Sequence, residues 1–234
     1  MKNDIGRIHI LDFIRGFAII GMVVYHAVFD LTAFYNVQIP LFDTTIINII
    51  WLIFALAFII ISGISTGLSR NPIRRGIIVI LAAGVVSAVT FIVTPDLAIR
   101  FGILHFMGSA MLLTALLKKP LAAIPRFVAL PLFAALFSIS YFLFPIDSDI
   151  NFLFPIGVIS NGFSSADYYP LIPWIFAFFF GTYLAKPLLE HRAPKWVYDF
   201  QCPFINFCGR QTLWIFLFHQ PVLLAIFWVI FNFI

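Results

Sequence analysis

The feature that most constrains this chain is a succession of apolar runs, each long enough to cross a bilayer. A spanning helix needs roughly 20 mostly apolar residues, and seven segments meet that length: roughly 8–31, 45–67, 75–94, 99–117, 126–144, 169–188 and 211–232. Composition agrees: of 234 residues, 62% are hydrophobic and 10% are charged, whereas soluble domains carry about 25% charged residues. Thirty phenylalanines and five tryptophans suit lipid-facing and interfacial positions. The predicted fold is therefore an all-α integral membrane protein, a bundle of about seven transmembrane helices forming a single domain over 1–234.

The formal charge of +4 is a topology signal and does not mark a nucleic-acid surface. The basic residues collect near the N-terminus and in alternate connections, "GLSRNPIRR", "LKKPLAAIPR" and "KPLLEHRAPKWVYDFQCPFINFCGR". The opposite connections hold Asp43, Asp96, Asp147, Asp149 and Asp167, with Arg100 the one basic residue among them. The positive-inside rule then predicts a cytoplasmic N-terminus and an extracytoplasmic C-terminus, in a multi-pass protein of the cell (inner) membrane. The first run exceeds a signal-peptide core and no small-residue cleavage site follows it, so it is expected to remain as the first span. Cys202 and Cys208 fit neither a redox pair nor a zinc site, and no metal is expected. The segment 145–168 is too short and too broken by Pro145, Pro155, Gly157 and Gly162 to cross. It is either a re-entrant or interfacial segment or a plain external loop.

The first span, "LDFIRGFAIIGMVVYHAVFDL", contains four ionisable residues. At about 100° per residue, Arg15 and His26 lie about 20° apart around the helix, and Asp12 and Asp30 both fall about 60° from Arg15 on the same side. The stripe runs along the axis, with Arg15 and His26 separated by about 16 Å. Charges within a span cost several kcal/mol each and face the bundle interior or a wet cavity. An Asp12–Arg15 ion pair at i, i+3 accounts for one end of the stripe, whereas four groups aligned over most of a membrane point to a polar track.

Other spans add candidates. Arg100 and His105 lie in "AIRFGILHFMGSA", about 140° apart on a regular helix, so they reach one site only through an irregularity. His219 and Gln220 precede Pro221, which removes a backbone donor and leaves a carbonyl free one turn earlier. Arg70, Arg74 and Arg75 form a cluster suited to phosphates or to anchoring topology. Asp167 and Tyr168 open the sixth span beside an aromatic belt, where a carboxylate suits a hydroxylated or cationic substrate, or simply water.

Four stretches, "RIHILDFIRGFAIIGMVVYH", "FGILHFMGSAMLL", "DYYPLIPWIFAFFFG" and "GRQTLWIFLFHQPVL", occur in the order seen in small bacterial relatives of heparan-α-glucosaminide N-acetyltransferase. The chain thus resembles that branch of the transmembrane acyltransferase superfamily over nearly its whole length. The resemblance implies acyl transfer from cytoplasmic acetyl-CoA to a small sugar or glycan acceptor across the membrane. It places the CoA headgroup by Asp12, Arg15, Arg70, Arg74 and Arg75, with the pantetheine arm running up the track towards His26. His26 and Asp30 are then the catalytic pair, with His26 as general base and Asp30 orienting it. His219 and Gln220 hold the thioester, and Arg100, His105, Asp167 and Tyr168 meet the acceptor. One departure stands out: the lysosomal enzyme's branch has asparagine at the His26 position and a catalytic histidine eleven residues later, where this chain has Val37.

Two other readings use the same residues. A proton-coupled transporter also needs intramembrane Asp, His and Arg, although the chain has neither an internal repeat nor paired broken helices. A lipid-binding scaffold would use the stripe for stability alone. A homo-oligomer is left open, and membrane lipid is the expected surrounding partner.

Overall fold

The computed structural model describes residues 8–42, 44–150, 152–190 and 192–233; Asp43 lies outside them. The chain divides into two compact units, residues 1–61 with 193–234 and residues 62–192.

In the first unit, α1 (His9–Tyr35) is a 27-residue helix that ends at Asn36 in the left-handed conformation, whose N–H donates to the Leu31 carbonyl. α2 (Thr45–Gly67) begins in this unit. Its rings meet α1 in antiparallel order, Phe54 with Phe17 and Trp51 with Tyr25. Near the end of the chain come two short helices, α8 (Lys195–Asp199) and α9 (Pro203–Arg210), and then α10 (Thr212–Phe233). α9 lies directly on the first half of α1. A Cβ on Gly16 would overlap the Ile205 carbonyl oxygen, and one on Gly209 would overlap that of Asp12. Backbones approach this closely only where both helices present glycine. Buried Asn206 ties the junction by donating to the His9 carbonyl at 3.2 Å.

The second unit holds α3 (Pro72–Val93), α4 (Ile103–Leu116), α5 (Lys118–Ala123), α6 (Arg126–Leu143) and α7 (Leu171–Leu189). Pro72 opens α3 behind Asn71, whose side chain accepts from the Arg74 N–H, a donor that the first turn would otherwise leave unpaired. Gly76 and Gly108 bring α3 and α4 together. Phe106 and Phe178, both fully buried, join α4 to α7, and Phe133 of α6 packs on Phe176, Phe179 and Tyr183 of α7. The Tyr183 hydroxyl donates to the Leu121 carbonyl on α5. Between α6 and α7, residues 145–168 are irregular and carry two short parallel strands, β1 (Ile146–Asp147) and β2 (Val158–Ile159).

The all-α membrane bundle predicted from sequence is the architecture observed. Among the described residues, six helices are long and apolar enough to cross a membrane: α1, α2, α3, α6, α7 and α10. The predicted fourth span, 99–117, is the exception in length, because its helix runs only from Ile103 to Leu116, 14 residues. Residues before it are diverted: Phe101 forms a β-bridge with Tyr168, and the Tyr169 N–H donates to the Phe101 carbonyl. That pairing holds the backbone extended, so α4 reaches only about 21 Å, short of the roughly 30 Å hydrocarbon core.

Candidate functional site

α1 carries all four residues of the polar stripe, with Asp12 and Asp30 buried and Arg15 and His26 half-buried. At its first end, Arg15 Nη1 lies 3.2 Å from Asp12 Oδ1 and donates to the Gly209 carbonyl at 3.3 Å. The same carbonyl accepts from Thr212 Oγ1 at 2.8 Å. One cation therefore joins α1 to the α9–α10 corner.

Towards the other end, α10 brings His219 and Gln220 against α1. The rings of His26 and His219 have centroids 4.8 Å apart at 58°. His219 Nδ1 is 2.6 Å from the Phe216 carbonyl oxygen. A carbonyl only accepts, so Nδ1 carries the hydrogen and Nε2 of the neutral ring presents a bare lone pair. Pro221, which has no N–H, leaves the neighbouring Leu217 carbonyl without its helical donor.

Asp30 does not bond His26. Its Oδ1 accepts from Gln220 Nε2 at 2.8 Å, which also sets the amide so that Oε1 faces away from that bond. The helical period places Asp30 one turn from His26, but the neighbouring helix supplies a neutral donor that takes the carboxylate first.

Four buried side-chain polar atoms among the described residues have no hydrogen-bond partner: Asp30 Oδ2, Gln220 Oε1, His219 Nε2 and Trp51 Nε1. All four belong to the first unit. Buried polar groups are almost always paired, and exceptions concentrate where a ligand or chemistry completes them. Three of them stand on α1 and α10, the helices that bring His26 and His219 together, and the fourth, on Trp51, stands on α2 against Tyr25. The sequence alone did not single out Trp51, since a tryptophan near a span end reads as an interfacial anchor.

The candidates of the second unit are arranged differently. Asp167 Oδ2 accepts from the Ile103 N–H at 2.8 Å and so caps α4 from a distant loop. Ser165 Oγ donates to the Asp167 carbonyl at 2.7 Å and accepts from the Arg100 N–H at 3.1 Å. The Arg100 guanidinium lies 5.6 Å from the Phe163 ring centroid. His105 Nδ1 accepts from the Gly102 N–H at 3.3 Å, which leaves Nε2 to donate to Ser87 Oγ at 3.4 Å; that hydroxyl in turn donates to the Ile99 carbonyl. Tyr168 donates to the Phe154 carbonyl at 2.7 Å. Burial raises the Asp167 carboxyl to about 6, against the Ile103 N–H that favours its charged form. Burial likewise pushes the Tyr168 hydroxyl up to about 12. The Arg100 backbone N–H ties the irregular stretch that precedes α4 to Ser165, and the His105 ring ties to Gly102 in that stretch, while the Arg100 guanidinium lies on Phe163.

Arg70 and Arg74 are exposed beside the start of α3, and Arg75 donates to the Ser65 carbonyl at 3.1 Å. Among the described residues, no group of three or more His, Cys, Asp or Glu side chains is arranged to hold a metal.

The sequence model of the heparan-alpha-glucosaminide N-acetyltransferase catalytic domain matches residues 7–221, through both units. The chain belongs to this family. It is accordingly a multi-pass membrane acetyltransferase in general terms, and the family acts on acetyl-CoA. Searches of curated proteins and of solved structures found no match. In this chain the stretch that carries His219 and Gln220 meets the stretch that carries His26 and Asp30.

Proposed function

We propose that this member of the heparan-alpha-glucosaminide N-acetyltransferase catalytic family transfers an acetyl group from cytoplasmic acetyl-CoA to an amine or hydroxyl of a sugar-type acceptor. Transfer takes place at the extracytoplasmic side of the cell (inner) membrane. The orientation rests on the loop charges, with the basic connections and the N-terminus in the cytoplasm. The observation that carries the reading is the convergence of His26 and His219, at 4.8 Å, among buried polar atoms that lack partners.

His26 takes the acceptor's proton as its nitrogen or oxygen attacks the thioester carbon. The resulting imidazolium donates to the bare Nε2 of His219, which stabilises the charge in place of the carboxylate expected from sequence. Asp30 acts from behind Gln220, adding negative charge near the imidazolium. Asp30 Oδ2 and Gln220 Oε1 accept further N–H or O–H donors of the acceptor. Arg70, Arg74 and Arg75 bind the donor's phosphates at the cytoplasmic side, while Arg15, tied to Asp12 and Gly209, keeps α1 in register with the α9–α10 corner.

The test is thiol release from acetyl-CoA by the purified protein in detergent, with glucosamine as trial acceptor and His26→Ala as control. Acceptor-dependent release that falls about 10²–10⁴-fold in the variant, with CoA binding retained, is the expected result. Absence of both thiol release and CoA binding in the wild type overturns the reading. Loss of CoA binding in His26→Ala would instead make His26 a donor-binding residue.

A further inference from the structure

The pair of histidines and the Asp30–Gln220 bond leave one group unused. Trp51 Nε1–H is buried without an acceptor. An indole N–H can only donate, whereas Asp30 Oδ2 as carboxylate, Gln220 Oε1 and neutral His219 Nε2 all accept. The first unit therefore contains three open acceptors and one open donor.

Trp51 and His26 both lie in the helix halves that adjoin the α1–α2 connection, with Trp51 nearer its helix end. Trp51 is six residues in from Thr45 on α2, about 9 Å along the axis, and His26 is nine residues before Tyr35 on α1, about 14 Å. The two helix ends are consecutive in the chain, so both distances are measured from the same side. Tyr25 spans the gap laterally. Its ring centroid is 4.9 Å from that of Trp51 and 5.5 Å from that of His26. Acyl transfer needs a donor at the carbonyl oxygen where negative charge develops, and a donor fixed in a water-poor site acts there without reorganising.

We propose that the Trp51 N–H donates to the thioester carbonyl oxygen and to the oxyanion formed from it; this rests on the acetyl-transfer reading above. The acceptor heteroatom bonds to the thioester carbon while its proton passes to His26. The carbonyl electron pair moves onto oxygen, where Trp51 holds it. Collapse re-forms the C=O bond and breaks the C–S bond, and the departing thiolate takes the proton back from His26. CoA thiol and acetylated acceptor are the only products, and both histidines end neutral.

Trp51→Phe keeps an aromatic ring against Tyr25 and removes the N–H. Turnover number and KM for acetyl-CoA are measured for wild type and variant, together with the melting temperature. The expected result is a turnover number about 10²–10³-fold lower, a KM changed by no more than a few-fold, and an unchanged or raised melting temperature, because an unpaired buried donor has been removed. Replacing Trp51 with benzothienylalanine, which keeps the bicyclic shape and lacks the N–H, should give the same loss. Wild-type turnover in either variant overturns the assignment, as does a loss matched by a lowered melting temperature in both. A wild-type protein that releases no thiol fails the underlying reading instead.

Discussion

Two clusters of ionisable side chains stand out in this protein, and they differ in what burial has done to them. The Arg100, His105, Asp167 and Tyr168 group gives its hydrogen-bonding atoms to the backbone: Asp167 caps α4, His105 links Gly102 to Ser87, and Tyr168 closes on Phe154. The His26, Asp30, His219 and Gln220 group holds one side-chain bond between helices and leaves three buried polar atoms open. Ionisable residues in apolar surroundings are thus of two kinds. A satisfied set fixes loops to helix ends, and an unsatisfied set keeps open valences inside the fold. The presence of histidine and aspartate does not separate them; the accounting of partners does.

The sharpest way to break this comparison is to remove one histidine from each cluster. His219→Phe deletes an open acceptor, and turnover is expected to fall about 10²-fold or more with little change in melting temperature. His105→Phe orphans the Gly102 N–H and leaves Ser87 Oγ with its Ile99 bond alone, costing about 1–3 kcal/mol, with turnover of the folded fraction retained. Thiol-release kinetics beside thermal unfolding in detergent measure both, and a reversed pattern would exchange the roles of the two clusters.

A smaller effect tests the one bond inside the open cluster. Gln220→Leu leaves the Asp30 carboxylate buried without a partner and should cost about 1–3 kcal/mol. Adding Asp30→Leu removes the uncompensated group, so the double variant should be more stable than Gln220→Leu alone. Unfolding of the wild type, Gln220→Leu, Asp30→Leu and the double variant closes the cycle, and a double variant less stable than Gln220→Leu would show that Asp30 has support beyond Gln220.

The smallest effect belongs to Asp167. Asp167→Ala removes the α4 cap and should cost about 1 kcal/mol, while Asp167→Asn keeps an acceptor for Ile103 and should be nearly neutral. With the folded carboxyl at about 6, above its ordinary value of 3.8, the fold binds the proton more tightly than the unfolded chain. The associated stability is fully present below the ordinary value and is lost as pH rises through the folded one. Melting temperature measured from pH 4 to pH 7 should carry this slope in the wild type and lose it in Asp167→Asn.

Much of the fold was legible because membrane spans are written in length and hydropathy. Six predicted spans correspond to α1, α2, α3, α6, α7 and α10. The alignment of Asp12, Arg15, His26 and Asp30 follows from the helical period. The short helix α9 was not legible: eight residues with Pro203 at the start and Cys202 just before it read as loop, and its position comes from the close approach at Gly16 and Gly209. The shortened α4 was hidden too, because its start is set by Phe101 pairing with Tyr168, residues far apart in sequence.

The sequence by itself determined that the chain lies in a membrane as helices, that one helix carries a polar stripe, and that its motifs are those of an acetyltransferase family. The first two follow from local quantities, transfer free energy summed along a segment and the rotation per residue within it, and the third from likeness to the family. Tertiary structure alone decided that Asp30 answers to Gln220, that His219 stands beside His26 with its Nε2 bare, and that Trp51 keeps an unspent donor. A hydrogen bond is a short-range, directional contact, and which valences remain open is known only when every neighbouring helix has claimed its own.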